Sequence, residues 1–163
     1  MSNSVEKIAV GGGCHWCTEA VFQALKGVEK VDQGYVASAP PFEQFSEGVI
    51  IHFDPQTIPL QILIEIHLHT HKSTSNHSFR SKYRSAVYCF SEEQKREVQH
   101  ILAQLQKEFK DPLVTQILPF QRFQASRESL HDYYRRNPEK PFCERYIAPK
   151  LQFLLQQYCS LLK

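Results

Sequence analysis

The stretch that decides the fold runs from Lys7 to Gly27 and reads KIAVGGGCHWCTEAVFQALKG. Its first four residues, Lys7–Val10, are typical of a short strand, which ends at three consecutive glycines, Gly11–Gly13. From Cys14 onward the apolar residues recur at helical spacing and share one face: Val21, Phe22, Leu25 and Val28. Gly27 is typical of a helix end. The stretch therefore predicts a strand, a glycine turn and a helix that begins at Cys14.

The rest of the chain alternates apolar periodic segments with turn residues. The predicted strands are Val31–Val36, Gly48–Phe53, Tyr83–Phe90 and Leu113–Phe120. The predicted helices are the segment that follows Pro59, a long one from a capping box at Ser91 to Phe109, then Arg127–Arg135 and Leu151–Leu162. The segment after Pro59 also alternates like a strand, but a proline at its start favours a helix.

The order through Phe90 is strand, helix, strand, strand, helix, strand. This order predicts an α+β fold, a ferredoxin-like two-layer sandwich with a split βαβ core and a C-terminal helical extension. A chain of 163 residues is long enough for one domain with its own core, so residues 1–163 are expected to form a single domain.

Charge and hydropathy exclude two classes of partner. A net charge of +2 is too small to indicate a nucleic-acid-binding surface. No run approaches the roughly 18 apolar residues that span a bilayer. The first residues lack the basic and apolar regions of a secretory signal. We therefore expect a cytoplasmic protein that binds neither nucleic acid nor membrane.

The chain has five cysteines: Cys14, Cys17, Cys89, Cys143 and Cys159. An odd count without an export signal argues against a framework of structural disulfides. The thiols are then expected to be packing residues, ligands or catalysts. Cys89 and Cys159 fall in a predicted strand and a predicted helix, and we expect them to be core residues.

Cys14 stands where a strand and a glycine turn meet a helix. The unpaired N–H groups and the dipole at a helix start favour a negative charge, so a cysteine at such a place forms the nucleophilic thiolate readily. Glycines also allow a substrate to approach the backbone closely. The alternative is a tight turn with a buried cysteine that acts as a small apolar residue.

Cys14-His15-Trp16-Cys17 is a C-x-x-C motif, which indicates redox chemistry or half of a zinc site. Three histidines could supply the other half of a zinc site, namely His67, His69 and His71. Their alternate spacing is unlike the usual zinc-ligand patterns, and histidines at the end of an amphipathic element are more often solvated or capping residues. We therefore predict no metal site.

Several motifs, in order, resemble the methionine sulfoxide reductase A family. Gly12–Glu19 reads GGCHWCTE and is similar to the family's G-G-C-x-W-x-x-E, and it is followed by F-x-x-L-x-G-V at Phe22–Val28. Glu47–Pro55 resembles E-x-V-x-V-x-F-D-P, and Tyr83–Tyr88 resembles the strand Q-Y-R-S-A-I-Y. Asn137–Cys143 is similar to the N-P-x-x-x-C tail. The resemblance covers most of the chain.

The resemblance implies the reduction of methionine-S-sulfoxide, free or in proteins, to methionine. Cys14 would attack the sulfoxide sulfur and become a sulfenic acid as methionine leaves. Glu47 would protonate the sulfoxide oxygen, and Tyr83 would hydrogen-bond it. Trp16 would hold the ε-methyl group against its indole face, with His15 and Phe42 completing the substrate pocket.

A second thiol must resolve the Cys14 sulfenic acid as a disulfide, which an external reductant then opens. Cys143 and Cys17 are the candidates. Cys143 lies on a proline-containing segment, expected to be a loop, and its position resembles the family's recycling cysteine. Cys17 lies a turn into the predicted helix. The resemblance implies no bound cofactor, with electrons from a thioredoxin-like partner or a small thiol.

The chain departs from the family pattern at several positions. His15 stands where the family has phenylalanine, Phe42 where it has an oxygen-binding tyrosine, and Ser78 where it has aspartate. The loop before Glu47 is shortened. These changes keep two other functions open: reduction of a different small sulfoxide or oxidised sulfur compound, and a zinc-binding module without enzymatic activity.

Overall fold

A computed structural model of the chain describes residues 5–13, 15–75, 83–126 and 148–163. The strands are β1 Glu6–Gly11, β2 Val28–Ala37, β3 Ser46–Phe53, β4 Ala86–Cys89, β5 Gln116–Pro119 and β6 Arg122–Ala125. The helices are α1 His15–Gln23, α2 Leu60–His69, α3 Glu92–Leu105 and α4 Ala148–Tyr158, with 3-10 turns at Gln106–Glu108 and Cys159–Leu161.

The strands form one sheet in the order β5-β4-β1-β3-β2-β6. β4 and β5 are parallel, and the other neighbouring pairs are antiparallel. At the end of β1, Gly11 lies opposite Gly48 of β3 on one side and Ala86 of β4 on the other. Because these pairs are antiparallel, the carboxyl end of β1 lies between the starts of β3 and β4.

The main core lies between one face of the sheet and the helices. Alternate residues of β3 point into it, namely Val49, Ile51 and Phe53, and they pack with Phe22 of α1 and Ile64 of α2. All of these side chains are almost fully buried. The other face carries a smaller apolar cluster: Ala9, Val36, Ile50, Ala86, Tyr88 and Leu118. The two clusters define a helix side and an open side of the sheet.

The α+β class predicted from the sequence is confirmed, and so is a helix directly after Pro59. The strand predicted over Tyr83–Phe90 is shorter, because β4 pairs with β1 only from Ala86 onward. β6 was not predicted; its side chains are mostly exposed, so it has little apolar pattern, and it joins the sheet by pairing with β2. The predicted helix Arg127–Arg135 lies outside the described residues.

The helix α3 begins as its capping motif predicts. The Ser91 hydroxyl accepts a hydrogen bond from the Gln94 backbone N–H at 3.1 Å. The Gln94 side-chain oxygen accepts in turn from the Phe90 N–H at 2.8 Å. One N–H group of the first helical turn, that of Gln94, and the N–H of Phe90 just before the cap are therefore satisfied by side chains. The helix ends at Leu105, earlier than predicted, and continues as a 3-10 turn to Glu108.

We expect Ser91→Ala to lower the free energy of unfolding by about 1 kcal/mol, because it removes the acceptor for the Gln94 N–H. Urea denaturation followed by circular dichroism measures this loss. Ser91→Asp is the matched control, since aspartate is an equally good cap and should restore most of the stability. Equal stability of Ser91→Ala and the wild type would contradict the capping role.

Among the residues described, no helix is both long and apolar enough to cross a bilayer.

Candidate active site

The end of β1 is a crowded junction of three strands. A Cβ atom added to Gly11 would lie 2.7 Å from the Glu47 carbonyl oxygen and 3.1 Å from the Arg84 carbonyl oxygen. Neither backbone can move far, because both belong to or border paired strands. Glycine is therefore required at position 11, and the chain that leaves β1 emerges between the segments that carry Glu47 and Tyr83.

Cys14 lies outside the described residues, but its chain neighbours Gly13 and His15 are described. His15 is the first residue of α1, a helix of nine residues with no acidic residue in its first turn. The N–H groups of that turn favour a negative charge placed beside them. The side chains of His15 and Trp16, like Cys143, lie outside the described part of the chain.

Glu47 is a buried carboxylic acid at the start of β3, with only 6% of its surface exposed. It lies opposite Tyr35 of β2, and the register between β3 and β1 is regular from Gly48 onward. By the alternation of the strand, Glu47 points to the same side as Val49, which is the helix side. The sheet therefore places this acid beside the glycine turn, on the side where α1 begins.

Tyr83 is partly buried and directly precedes Arg84, which is itself buried. The Arg84 guanidinium donates to the Tyr88 hydroxyl at 3.1 Å and to the Gln44 carbonyl at 2.7 Å. The Arg84 N–H donates to the Ser46 hydroxyl at 2.7 Å. Arg84 thus ties the segment that carries Tyr83 to the loop and strand that carry Glu47.

Phe42 lies in the loop between β2 and β3, which contains a cis peptide bond between Pro40 and Pro41. Its ring packs against the smaller cluster on the open side of the sheet, with the Arg84 guanidinium carbon 5.5 Å from the ring centroid. The described contacts of Phe42 are therefore on the side opposite Glu47. Arg84 holds this loop through Gln44, three residues before Glu47.

The described cysteines differ in exposure. Cys17 is 3% exposed, on the buried face of α1. Cys89 is also buried, as predicted, and burial raises the pKa of its thiol to about 11, so it stays protonated at neutral pH. Cys159 was expected to be a core residue; this was wrong, because the helix has already ended and the residue is exposed in a 3-10 turn.

The histidines at the end of α2 were interpreted from the sequence as solvated or capping residues. His69 fits this description, since it pairs with the Glu108 carboxylate at 2.8 Å and is half-buried. His67 does not, because it is 3% exposed and lies 2.7 Å from the Gly11 carbonyl oxygen. His71 contacts the Ser85 hydroxyl at 2.8 Å. The spacing of four residues between His67 and His71 was the available signal, since it predicts that both lie on one face of a helix; in the structure His71 lies in the turn just after α2.

Within the described ranges, no group of three or more histidine, cysteine or acidic side chains is arranged to hold a metal ion.

Glu19 is a second buried carboxylate that the sequence did not single out by itself. It lies on α1, is 2% exposed, and accepts a hydrogen bond from the Gln33 amide at 3.0 Å. The Gln33 side-chain oxygen in turn accepts from the Ser126 hydroxyl at 2.6 Å. This chain of contacts fixes α1 against β2 and the end of β6, and so helps to fix the helix that Cys14 precedes.

Comparison with known proteins identifies the family. The family model described as peptide methionine sulfoxide reductase matches residues 6–161. Peptide methionine sulfoxide reductase MsrA of Acinetobacter baumannii (strain SDF) is 34% identical, over 98% of this chain and 99% of that protein. MsrA of Thermus thermophilus is also 34% identical, over 97% of this chain and 98% of that protein.

Solved structures share the fold. Reduced Mxr1 from Saccharomyces cerevisiae matches with a TM-score of 0.76 at 22% identity, over 85% of this chain and 89% of that chain. Methionine sulfoxide reductase A of Corynebacterium diphtheriae matches with a TM-score of 0.70 at 21% identity, over 85% and 78%. Mxr1 has also been solved in complex with Trx2, and that structure matches with a TM-score of 0.64 at 20% identity, over 80% and 89%. With a family match along nearly its whole length, this chain belongs to the peptide methionine sulfoxide reductase family.

Proposed function

We propose that this protein reduces methionine-S-sulfoxide, free or within proteins, to methionine, with Cys14 as the nucleophile. The observation that carries the proposal is the junction at the end of β1, where the glycines that lead to Cys14 emerge between the segments of Glu47 and Tyr83. Membership of the family supports the same activity.

In the proposed reaction, the Cys14 thiolate attacks the electrophilic sulfur of the sulfoxide. Glu47 would deliver a proton to the sulfoxide oxygen, and its burial beside the turn supports a role as general acid. The oxygen is transferred to Cys14 as a sulfenic acid, and the methionine sulfur is reduced by two electrons and leaves as a thioether.

The proposed substrate-binding residues are those that the family resemblance implies. Tyr83 would donate its phenolic hydroxyl to the sulfoxide oxygen, from the segment held by Arg84. Trp16, with His15, would receive the ε-methyl group in the first turn of α1. The family resemblance, and not the described contacts of Phe42, supports a place for its ring at the apolar rim of the pocket, since those contacts lie on the open side of the sheet.

The cycle needs a second thiol and an external reductant. The second thiol attacks the Cys14 sulfenic acid, a disulfide forms and water leaves. A thioredoxin-like protein or a small thiol then supplies two electrons and returns both cysteines to thiols. The complex of Mxr1 with Trx2 supports a thioredoxin-like partner for this fold. We place the chemistry in the cytoplasm, where reductants keep thiols reduced.

We also propose that the core is a ferredoxin-like sandwich with a split βαβ arrangement, within a single domain over residues 1–163. The antiparallel order β4-β1-β3-β2, with α1 and α2 on one side, supports this topology, and β5 and β6 extend it at both edges. The family match over residues 6–161 supports the single domain.

The direct test is a turnover assay on the two sulfoxide epimers of methionine, separately, with dithiothreitol as reductant. We expect the S epimer to be reduced and the R epimer to remain. A free and a peptide-bound substrate, compared by kcat/KM, would separate the two substrate forms. If neither epimer is reduced but another small sulfoxide is, methionine sulfoxide is not the substrate. The proposed thiol chemistry of Cys14 would still be supported.

We predict that Cys143, rather than Cys17, resolves the sulfenic acid. Cys17 is buried on α1, which limits the movement of its thiol toward Cys14. Cys159 is exposed but distant: the neighbouring Leu161 carbonyl accepts from the Lys26 N–H, past the far end of α1. A helix of nine residues is about 13 Å long, too far for a disulfide with Cys14.

Cys143→Ser is therefore expected to reduce about one sulfoxide per enzyme and then stall when thioredoxin is the only reductant. Mass spectrometry of the oxidised wild type should find a peptide that links Cys14 to Cys143. Cys17→Ser is the control and should keep turning over. Unchanged thioredoxin-driven turnover in Cys143→Ser, with a Cys14–Cys17 peptide instead, would move the resolving role to Cys17.

A further inference from the structure

His67 of α2 and His71 of the turn that follows it contact two of the glycines that precede Cys14. His67 is 3% exposed, and its Nε2 lies 2.7 Å from the Gly11 carbonyl oxygen. A carbonyl oxygen accepts only, so His67 carries a proton on Nε2 and donates it there. This hydrogen bond holds the carbonyl of the last residue of β1 from the helix side.

His71 stacks on His67, with ring centroids 4.3 Å apart. Its Nδ1 lies 2.5 Å from the His67 carbonyl oxygen and therefore donates to it. Its Nε2 is 2.8 Å from the Ser85 hydroxyl, which is itself 2.8 Å from the Thr115 hydroxyl. In the neutral ring Nε2 accepts from Ser85, so the ring is held at both nitrogens.

The same ring lies directly against Gly12. A Cβ atom on Gly12 would lie 2.5 Å from Cδ2 of His71, and the φ angle of Gly12 is +150°, a conformation that residues with side chains rarely adopt. The backbone of Gly12 is therefore shaped to the face of the imidazole. Two of the three consecutive glycines that lead to Cys14, Gly11 and Gly12, are thus in contact with a histidine.

We infer that His67 and His71 are positioning residues for the nucleophile: they hold the Gly11–Gly12 backbone so that the Cys14 thiolate stays at the N-terminus of α1. This rests on the proposed role of Cys14. Neither histidine is assigned a contact with substrate. Their effect is transmitted through the backbone, because Gly11 and Gly12 carry no side chains and the two rings contact them at the Gly11 carbonyl oxygen and beside the Gly12 Cα.

Substitutions at His67 separate its hydrogen bond from its volume. Glutamine places an amide N–H near the position of Nε2, asparagine places it near Nδ1, and phenylalanine keeps the ring without a donor. We expect His67→Phe and His67→Asn to lower kcat about tenfold with KM within about twofold, since the loss of geometry affects the reacting atom more than binding. His67→Gln should recover most of the rate.

The second readout is the rate at which iodoacetamide alkylates Cys14 at neutral pH, with the site located by mass spectrometry. Alkylation needs the thiolate but no sulfoxide, so it reports on Cys14 independently of the substrate. We expect the alkylation rates to follow the same order as kcat: slow in His67→Phe and His67→Asn, and near the wild-type rate in His67→Gln. Suppose that neither the wild type nor any variant reduces methionine sulfoxide, but Cys14 is alkylated more slowly in His67→Phe than in the wild type. That result would support the positioning role and contradict the proposed substrate.

His69→Gln is the matched control. It lies on the same helix, but its ring contacts Glu108 and stacks on Phe109 at 4.6 Å, away from the glycines. In His69→Gln, kcat and the alkylation rate of Cys14 should both stay within about twofold of the wild-type values. If His67→Phe does not fold, Ser85→Ala provides the test, because it removes the hydroxyl that holds His71, and a severalfold fall in alkylation is expected.

The inference is overturned if folded His67→Phe, or folded Ser85→Ala in its place, alkylates and turns over like the wild type. It is also overturned if His67→Gln loses as much rate as His67→Phe and the melting temperature falls in parallel, since the residue would then contribute packing alone.

Discussion

Cys14→Ser is expected to abolish sulfoxide reduction. A serine hydroxyl ionises far above neutral pH, so the variant has no thiolate to attack the sulfur and forms no sulfenic acid. The loss should appear in kcat at saturating substrate and in a single-turnover experiment without added reductant. Consumption of methionine sulfoxide, followed by chromatography, measures both.

Cys159→Ser is the matched control for this substitution. Cys159 is exposed and lies beyond the opposite end of α1, so its replacement should leave the rate within about twofold of the wild type. Unchanged melting temperatures in both variants would show that the fold is intact. Activity of Cys14→Ser within a few-fold of the wild type would remove Cys14 as the nucleophile.

Glu47→Gln is expected to lower kcat about a hundredfold or more, because an amide has no proton of suitable acidity to deliver to the sulfoxide oxygen. The side chain keeps its size, so the paired start of β3 should remain intact. The rate of a single turnover at neutral pH isolates the protonation step from the later recycling by a reductant.

Glu43→Gln is the control for the change of charge. Glu43 is exposed in the loop four residues before Glu47, and its replacement should leave the rate nearly unchanged. A normal single-turnover rate in Glu47→Gln would exclude Glu47 as the proton donor. A fall in melting temperature that accounts for the lost activity would assign Glu47 a role in stability instead.

The elements with strong local patterns were predictable. Val21 and Phe22 mark the buried face of α1 by their spacing, and Pro59 and Ser91 mark two helix starts by their own chemistry. β6 was missed because its mostly exposed residues have little apolar pattern, and its strand is formed by pairing with β2. Cys159 was misplaced because the end of α4 is a 3-10 turn that exposes it.

The sequence by itself determined the local chemistry: a strand that ends in glycines, a cysteine at the start of a helix, and an acid at the start of another strand. Spacing and residue type are sufficient for the first two, because they depend on neighbours along the chain, whereas the family resemblance singled out the acid, Glu47. Only the tertiary structure decided which of these residues meet. The antiparallel register brings Glu47 and the segment of Tyr83 to the two sides of Gly11, and the packing of α2 brings His67 to its carbonyl. Such contacts join residues far apart in the chain, and no local pattern encodes them.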